Sequence, residues 1–257
     1  MKKRKSDKKK LKEKRGEGKR ENYVPFDHAI DFASLGGHKR IAGTKIHRTF
    51  HFFSDLEKHF FFLFEFADNV TDIREQFPLK PLAETKEIAK SLNIKHPSDE
   101  KGNPVIMRTD FRVSFKKGED IVFTIKPSTN LSQRVIEKFE IDRVFESKRN
   151  IKWYILTEKE LNPIVLRNII RIRESYFYQS SHLDKFKKQI KRNFIGSTSS
   201  KNQISEIIRQ TCSEIRITYG EGRKLFDHLL ARKFFTFNLS KPFSLQMTKS
   251  EFQIKSL

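Results

Sequence analysis

The amino-acid sequence predicts an α/β protein with a mixed sheet, followed by a smaller, mostly helical unit. Three observations carry this. Residues 106–126 read IMRTDFRVSF, KKGED, IVFTIK: two runs that alternate apolar and polar residues around a loop with Gly118, the pattern of an antiparallel hairpin. On either side of it, residues 54–67 and 132–148 repeat apolar residues at helical spacing, while residues 73–79 and 153–156 read as strands. Past Pro163 the periodicity turns helical.

In chain order, residues 1–22 are a low-complexity basic segment, expected to be a disordered tail, because a run so charged buries too little apolar surface to order itself. Residues 23–53 mix Gly36, Gly37 and Gly43 with basic residues in a loop-rich lead-in expected to lie on a polyanion. A helix starts at Ser54, its stripe being Leu56, Phe60, Leu63, Phe64 and Ala67. Pro78 and Pro81 stop the strand over 73–79, and a helix follows over 82–92. The charged helix over 132–148 is expected to face inward with Val135, Phe139 and Val144, and residues 153–156 form a buried strand. The domain so built spans residues 23–163. Beyond it, over 164–257, come helices at 165–178, 183–194, 204–219 and 222–231. The run LLARKFFTFNLSKPFSL then passes from helix into one or two strands. Of Phe234, Phe235 and Phe237, two are expected in that small core, and the tail after Lys241 is left as a segment for a partner.

Chemistry concentrates at the hairpin. If its turn centres near Gly118, Asp110 faces Lys126, and directly opposed residues share a sheet face. That face also carries Arg108, Arg112 and Thr124, leaving Phe111, Val113, Phe123 and Ile125 for the core. A carboxylate beside a lysine suits phosphodiester hydrolysis, in which the acid holds a divalent cation and the lysine orients water or neutralises charge on the phosphate. An equally direct reading is a cross-strand ion pair on a solvated face. Glu57 is the best second carboxylate, although Ser54-x-x-Glu57 is also a capping box, with Glu57 reaching back to the Ser54 amide.

Composition agrees with a nucleic-acid enzyme. The net charge of +21 is uneven: Lys and Arg against Asp and Glu number 12 and 3 over residues 1–20, 26 and 23 over 21–180, and 15 and 6 over 181–257. A nearly balanced middle can gather carboxylates, while basic ends can hold phosphates; Lys2, Lys3, Arg4, Lys5, Lys8, Lys9 and Lys10, with Arg108 and Arg112, are the expected DNA contacts. The single Cys212 excludes an internal disulfide and a cysteine-cluster zinc site, which points to a reducing cytoplasm. The apolar run 60–64 is too short to span a bilayer before Glu65 interrupts it. His47 and His51 have i, i+4 spacing but no third ligand beside them, so surface or partner contact outweighs metal binding.

The words FFSDLEKHFFFLFEFADNVTDIREQFPL, RTDFRV, TIKPS and IEKFEIDRVFESKRNIKWYILTEKEL, in order over residues 49–161, resemble the TnsA family of transposon end-cleaving endonucleases. The resemblance implies a restriction-endonuclease-like catalytic domain. Glu57 and Asp110 would be its Mg2+ ligands, with Mn2+ able to substitute, and Lys126 its catalytic lysine. It also implies a winged-helix-like C-terminal domain, double-stranded DNA at transposon ends as substrate, a TnsB-like transposase and a TnsC-like AAA+ ATPase as partners, and a bacterial cytoplasmic, DNA-associated setting. The chain departs from the pattern two residues before the lysine. There the wider superfamily has Glu and these relatives commonly Gln, but here stands Thr124, a poorer metal ligand, which leaves the Ile125 backbone carbonyl as a supplementary one. The alternatives are a stand-alone restriction or repair nuclease of the same superfamily, and a non-catalytic DNA-binding assembly factor.

Overall fold

The computed structural model describes residues 5–31, 39–197 and 202–255. The chain divides into two compact units, residues 1–161 and 162–257. The first is built on a four-stranded sheet of β3 (Val70–Pro78), β4 (Arg108–Phe115), β5 (Asp120–Ile125) and β6 (Lys152–Leu156), in that order. β3, β4 and β5 run antiparallel to their neighbours and β6 joins β5 in parallel, which makes the sheet mixed as expected. Helix α2 (Asp55–Phe66) covers one face, where Phe64 packs on Phe111 and Phe123. The other face is closed by α4 (Gln133–Ser147), whose Ile141 and Phe145 pack with Leu79, Ile88 and Ala89 beside α3 (Leu82–Ser91).

Inward faces differ from the expected stripes. On α2 the buried residues are Glu57, Phe60, Phe61, Phe62 and Glu65, because the helix packs on both the large sheet and the small β1–β2 sheet (Lys39–Ala42 with Thr49–Phe52), where Phe61 meets Phe50 and Phe52. On α4 they are Ile141, Asp142, Phe145 and Glu146, so half of the inward face is acidic and Val135, Phe139 and Val144 stay only partly covered.

The hairpin register is shifted from expectation. Phe111 pairs with Phe123 and Ser114 with Asp120. Gly118, at φ +85°, takes the last place of a three-residue loop rather than the turn centre, where the left-handed conformation suits glycine. Continuing that register puts Asp110 opposite Thr124, with Lys126 one pair further along the same face. The face is not solvated either. Val122 and Thr124 are buried beneath α4.

The N-terminal residues are part of the fold, which corrects the disordered tail for residues 5–22. Residues Asp7–Lys12 form helix α1, capped by Ser6. Lys10 is fully buried and its Nζ lies 2.6 Å from Asp27, which Arg108 also pairs at 2.7 Å. Arg15, also buried, pairs with Asp31. Gly16, at φ +77°, sits so close to Pro78 that a Cβ would fall 2.2 Å from its ring, so glycine alone lets this segment seat on the end of β3. The lead-in is likewise no loose strap: Tyr23, Phe26, Ile46, Phe50 and Phe52 are core, and Arg48 grips Glu75 at 2.9 and 2.5 Å. Gly36 and Gly37 lie outside the described residues.

The second unit packs α5 (Pro163–Glu174), α6 (Leu183–Gly196), α7 (Ile204–Ile215) and α8 (Tyr219–Ala231) with an antiparallel pair, β7 (Phe235–Phe237) and β8 (Phe252–Ile254). Gly222 on α8 admits α7, since a Cβ there would lie 2.1 Å from the buried Cys212 Sγ. Phe234 and Phe235 are core, as expected. The tail after Lys241 is not free: Met247 and Phe252 are buried and β8 completes the pair with β7.

The Lys10–Asp27–Arg108 cluster generates a prediction. Asp27→Ala leaves two cations short of their anion in a buried place and should cost about 3–5 kcal/mol of unfolding free energy, read by urea denaturation. A loss well under 1 kcal/mol would return the N-terminal segment to the status of an appendage.

Candidate active site

Glu57 sits in the first turn of α2 because Ser54 caps that helix, accepting the Glu57 amide at 3.1 Å. The Ser54 hydroxyl donates back to Glu57 Oε1 at 2.9 Å, and the Phe53 amide, rather than that of Ser54, donates to Oε2 at 3.0 Å. The cap is therefore real, yet the carboxylate points inward, where the Gln76 amide reaches Oε2 at 3.4 Å. Burial, then the negative charge of Asp110, push the Glu57 carboxyl up to about 8. Asp110 itself is pushed by burial to about 6, against the opposing pull of the Ile125 amide and the charges of Lys126 and Arg108.

Asp110 stands where the β4–β5 ladder opens. Backbone pairing ends at Phe111 and Phe123. Beyond it, side chains take over: Asp110 Oδ2 accepts the Ile125 amide at 2.6 Å and Thr109 Oγ1 donates to the Phe123 carbonyl at 3.2 Å. Lys126 follows directly, its own amide held by the Leu156 carbonyl at 3.0 Å. Its charge acts on both carboxylates, and among the described residues its Nζ makes no ion pair.

Glu57, Asp110 and Lys126 thus come together, whereas Thr124 turns elsewhere. Its hydroxyl donates to Asp142 at 3.2 Å, accepts from Trp153 Nε1 at 3.1 Å and lies 3.3 Å from Thr109 Oγ1. That spends its proton and one lone pair, and the Thr109 oxygen crowds the other, which leaves little of the weak ligand role expected of Thr124. The expected DNA contacts divide. Lys2, Lys3 and Arg4 lie outside the described residues. Lys8 and Lys9 are exposed, and Lys5 pairs with Glu13 at 2.9 Å. Lys10 is removed from the set because it is buried on Asp27. Arg108 and Arg112 are committed to Asp27 and Asp120, each at 2.7 Å. His51 lies on a strand, not a helix, and stacks on His28 at 4.8 Å, so the i, i+4 spacing has no meaning here.

The donor set is chemically suited to a hard divalent cation: two oxygen anions, each penalised by burial, which positive charge between them would relieve. It is also a sparse set, since among the described residues no cluster of three or more His, Cys, Asp or Glu exists. Sequence reasoning missed three buried polar residues around it. Gln76 follows Glu75 and looks like any strand residue. Asp142 and Glu146 read as the solvent side of a charged helix, yet burial and then Glu146 push Asp142 up to about 8.

These shifts set a pH dependence. Asp142 and Glu57 hold their protons more tightly folded than unfolded, where they return to near 3.8 and 4.5. The native state therefore carries the extra protons between those values and about 8, and stability falls as pH rises through that window. In chelating buffer the melting temperature should drop from about pH 5 to above pH 8. Asp142→Asn should flatten the drop by several degrees, on the order of what 1–2 kcal/mol does to a domain of this size. A parallel pH profile in the variant would show that Asp142 does not titrate there.

Residues 67–158 match the family model described as TnsA-like endonuclease N terminal, which takes in Gln76, Asp110 and Lys126 but begins after Glu57. Over 162 residues the chain is 40% identical to the transposon Tn7 transposition protein TnsA of Escherichia coli, an alignment covering 62% of this chain and 59% of that protein. The chain thus spans about three-fifths of the length of the curated relative it matches. Over the matched residues, which include Asp110 and Lys126, the chain is similar to the TnsA-like endonucleases.

Proposed function

We propose that this protein is a Mg2+-dependent DNA endonuclease, with Mn2+ able to substitute, acting as one subunit of a cut-and-paste transposase. It would cleave the 5′ ends of a transposon alongside a TnsB-like transposase and a TnsC-like ATPase. The observation that carries the reading is the meeting of two carboxylates, the buried Glu57 and the half-buried Asp110, with a lysine that has no other partner among the described residues. A structural ion pair would have used Lys126. An uncommitted ammonium beside two acids is instead available to a phosphate.

Glu57 and Asp110 would hold the cation, with the Ile125 carbonyl beside them; when bound, such an ion polarises the scissile phosphate and acidifies a water. Asp110 is kept in place by the Ile125 amide, and Glu57 by Phe53, Ser54 and Gln76. Lys126 would neutralise charge growing on the phosphate oxygens, a contribution that preorganisation makes large. Lys8 and Lys9, exposed on α1, would add sequence-independent contacts to the DNA backbone. No helix among the described residues is long and apolar enough to cross a membrane.

For the second unit we propose a winged-helix-like role in assembly: α7 and α8 joined by the short turn at 216–218 and followed by the β7–β8 pair are the parts such a module uses. The ATPase and transposase partners rest on the family resemblance.

Two outcomes check this reading. Asp110→Ala and Lys126→Ala should each lower 5′-end cleavage by about a hundredfold or more in the reconstituted complex, with the melting temperature held. Wild-type cleavage by either folded variant would remove that residue from the mechanism. A chain ending near residue 161 should remain a folded unit but lose capture of the ATPase. Equal pull-down by the truncated and full chains would move the partner surface onto the catalytic unit.

A further inference from the structure

Gln76 is the one non-glycine residue with positive φ inside a strand among the described residues, at φ +50° in the middle of β3. A long unbranched side chain gains nothing from that conformation, and strain of this kind persists where the surroundings over-determine it. They do so here. Glu75 and Phe77 stay in register with Phe111 and Thr109, which brackets Gln76 against Asp110 on the neighbouring strand. The Gln76 carbonyl accepts the amide of Phe26, itself fully buried. The result of the twist is functional in direction: a buried amide side chain delivered to Glu57 Oε2 at 3.4 Å.

Thr124, at the position where the resemblance places a ligand, turns its hydroxyl to Asp142 as donor and to Trp153 as acceptor. Among the described residues the two carboxylates are joined by no third acid in a metal-holding group. Gln76 is different. With its nitrogen on the carboxylate, its amide oxygen has no donor among the described residues, and a neutral amide oxygen is an ordinary ligand for Mg2+ or Mn2+.

We propose that Gln76 is a fourth residue of the site, orienting Glu57 through its amide nitrogen and supplying to the cation the neutral oxygen that Thr124 does not. This rests on the nuclease reading above. It also explains why the strained backbone is kept: a regular strand would not carry the amide to Glu57.

The test uses the full-length chain, Mn2+ alone as probe followed by calorimetry, and thermal melting in chelator. Gln76→Gly frees the left-handed backbone while deleting the amide. It should melt close to wild type and bind Mn2+ about tenfold or more weakly. Gln76→Glu, which restores an oxygen donor, should bring the affinity back to wild type or beyond. Wild-type Mn2+ affinity in Gln76→Gly overturns the proposal. So does equal weakening in both variants with a matching fall in melting temperature, since that is packing alone. Asp110→Ala separates the levels. Binding lost there but intact in Gln76→Gly overturns the role of Gln76 only, whereas binding that survives Asp110→Ala overturns the nuclease reading and this proposal with it.

Discussion

The structure turns on two carboxylates that are drawn together, Glu57 buried and Asp110 half-buried. Glu57 and Asp110 are each burdened by burial, and Glu57 further by the charge of its neighbour. Left alone such a pair would take up protons or part. Here every nearby donor works against parting: two backbone amides, a serine hydroxyl, a glutamine amide and the field of Lys126. Positive charge placed between the two acids would relieve so costly an arrangement.

The opening of the β4–β5 ladder makes the place possible. Regular pairing would have satisfied the Ile125 amide with a carbonyl and left no reason for a carboxylate to sit there. Because the strands part after Phe111 and Phe123, the Asp110 side chain substitutes for the missing backbone acceptor. One residue thereby closes the sheet and arms the site. Arg108, two residues earlier, ties the same strand to Asp27 and so to Lys10 of α1. The N-terminal segment is consequently a support for β4, and Phe26 extends that support to Gln76 on β3.

Much of this was legible in the residues. Alternation at 106–126, the serine before a helical stripe and prolines at the strand end placed β4, β5, α2 and α3 closely, since those signals are local. Failures share a cause. Lys10 and Arg15 in a lysine-rich run look solvated, and it is Asp27 and Asp31, 17 and 16 residues away, that meet them where they are buried. The acidic face of α4 defeats any reading by apolar periodicity, because its inward residues Asp142 and Glu146 are what such a reading assigns to water. Gly118 was rightly placed in the turn, yet its place within the loop depends on which residues on either side pair.

By itself the sequence determined the residue types that matter, their order and the element on which each stands. A carboxylate after a capping serine, an aspartate and a lysine on successive strands, and a charge balance that spares the middle of the chain are all properties of composition and spacing. Tertiary structure alone decided which of these groups meet. Register made Thr124 the partner of Asp142 rather than of a cation, the folded N-terminus took Lys10 from the surface, and a left-handed backbone at Gln76 turned an unremarked strand residue toward Glu57. Those outcomes depend on contacts between residues far apart in the chain, where no local pattern reaches.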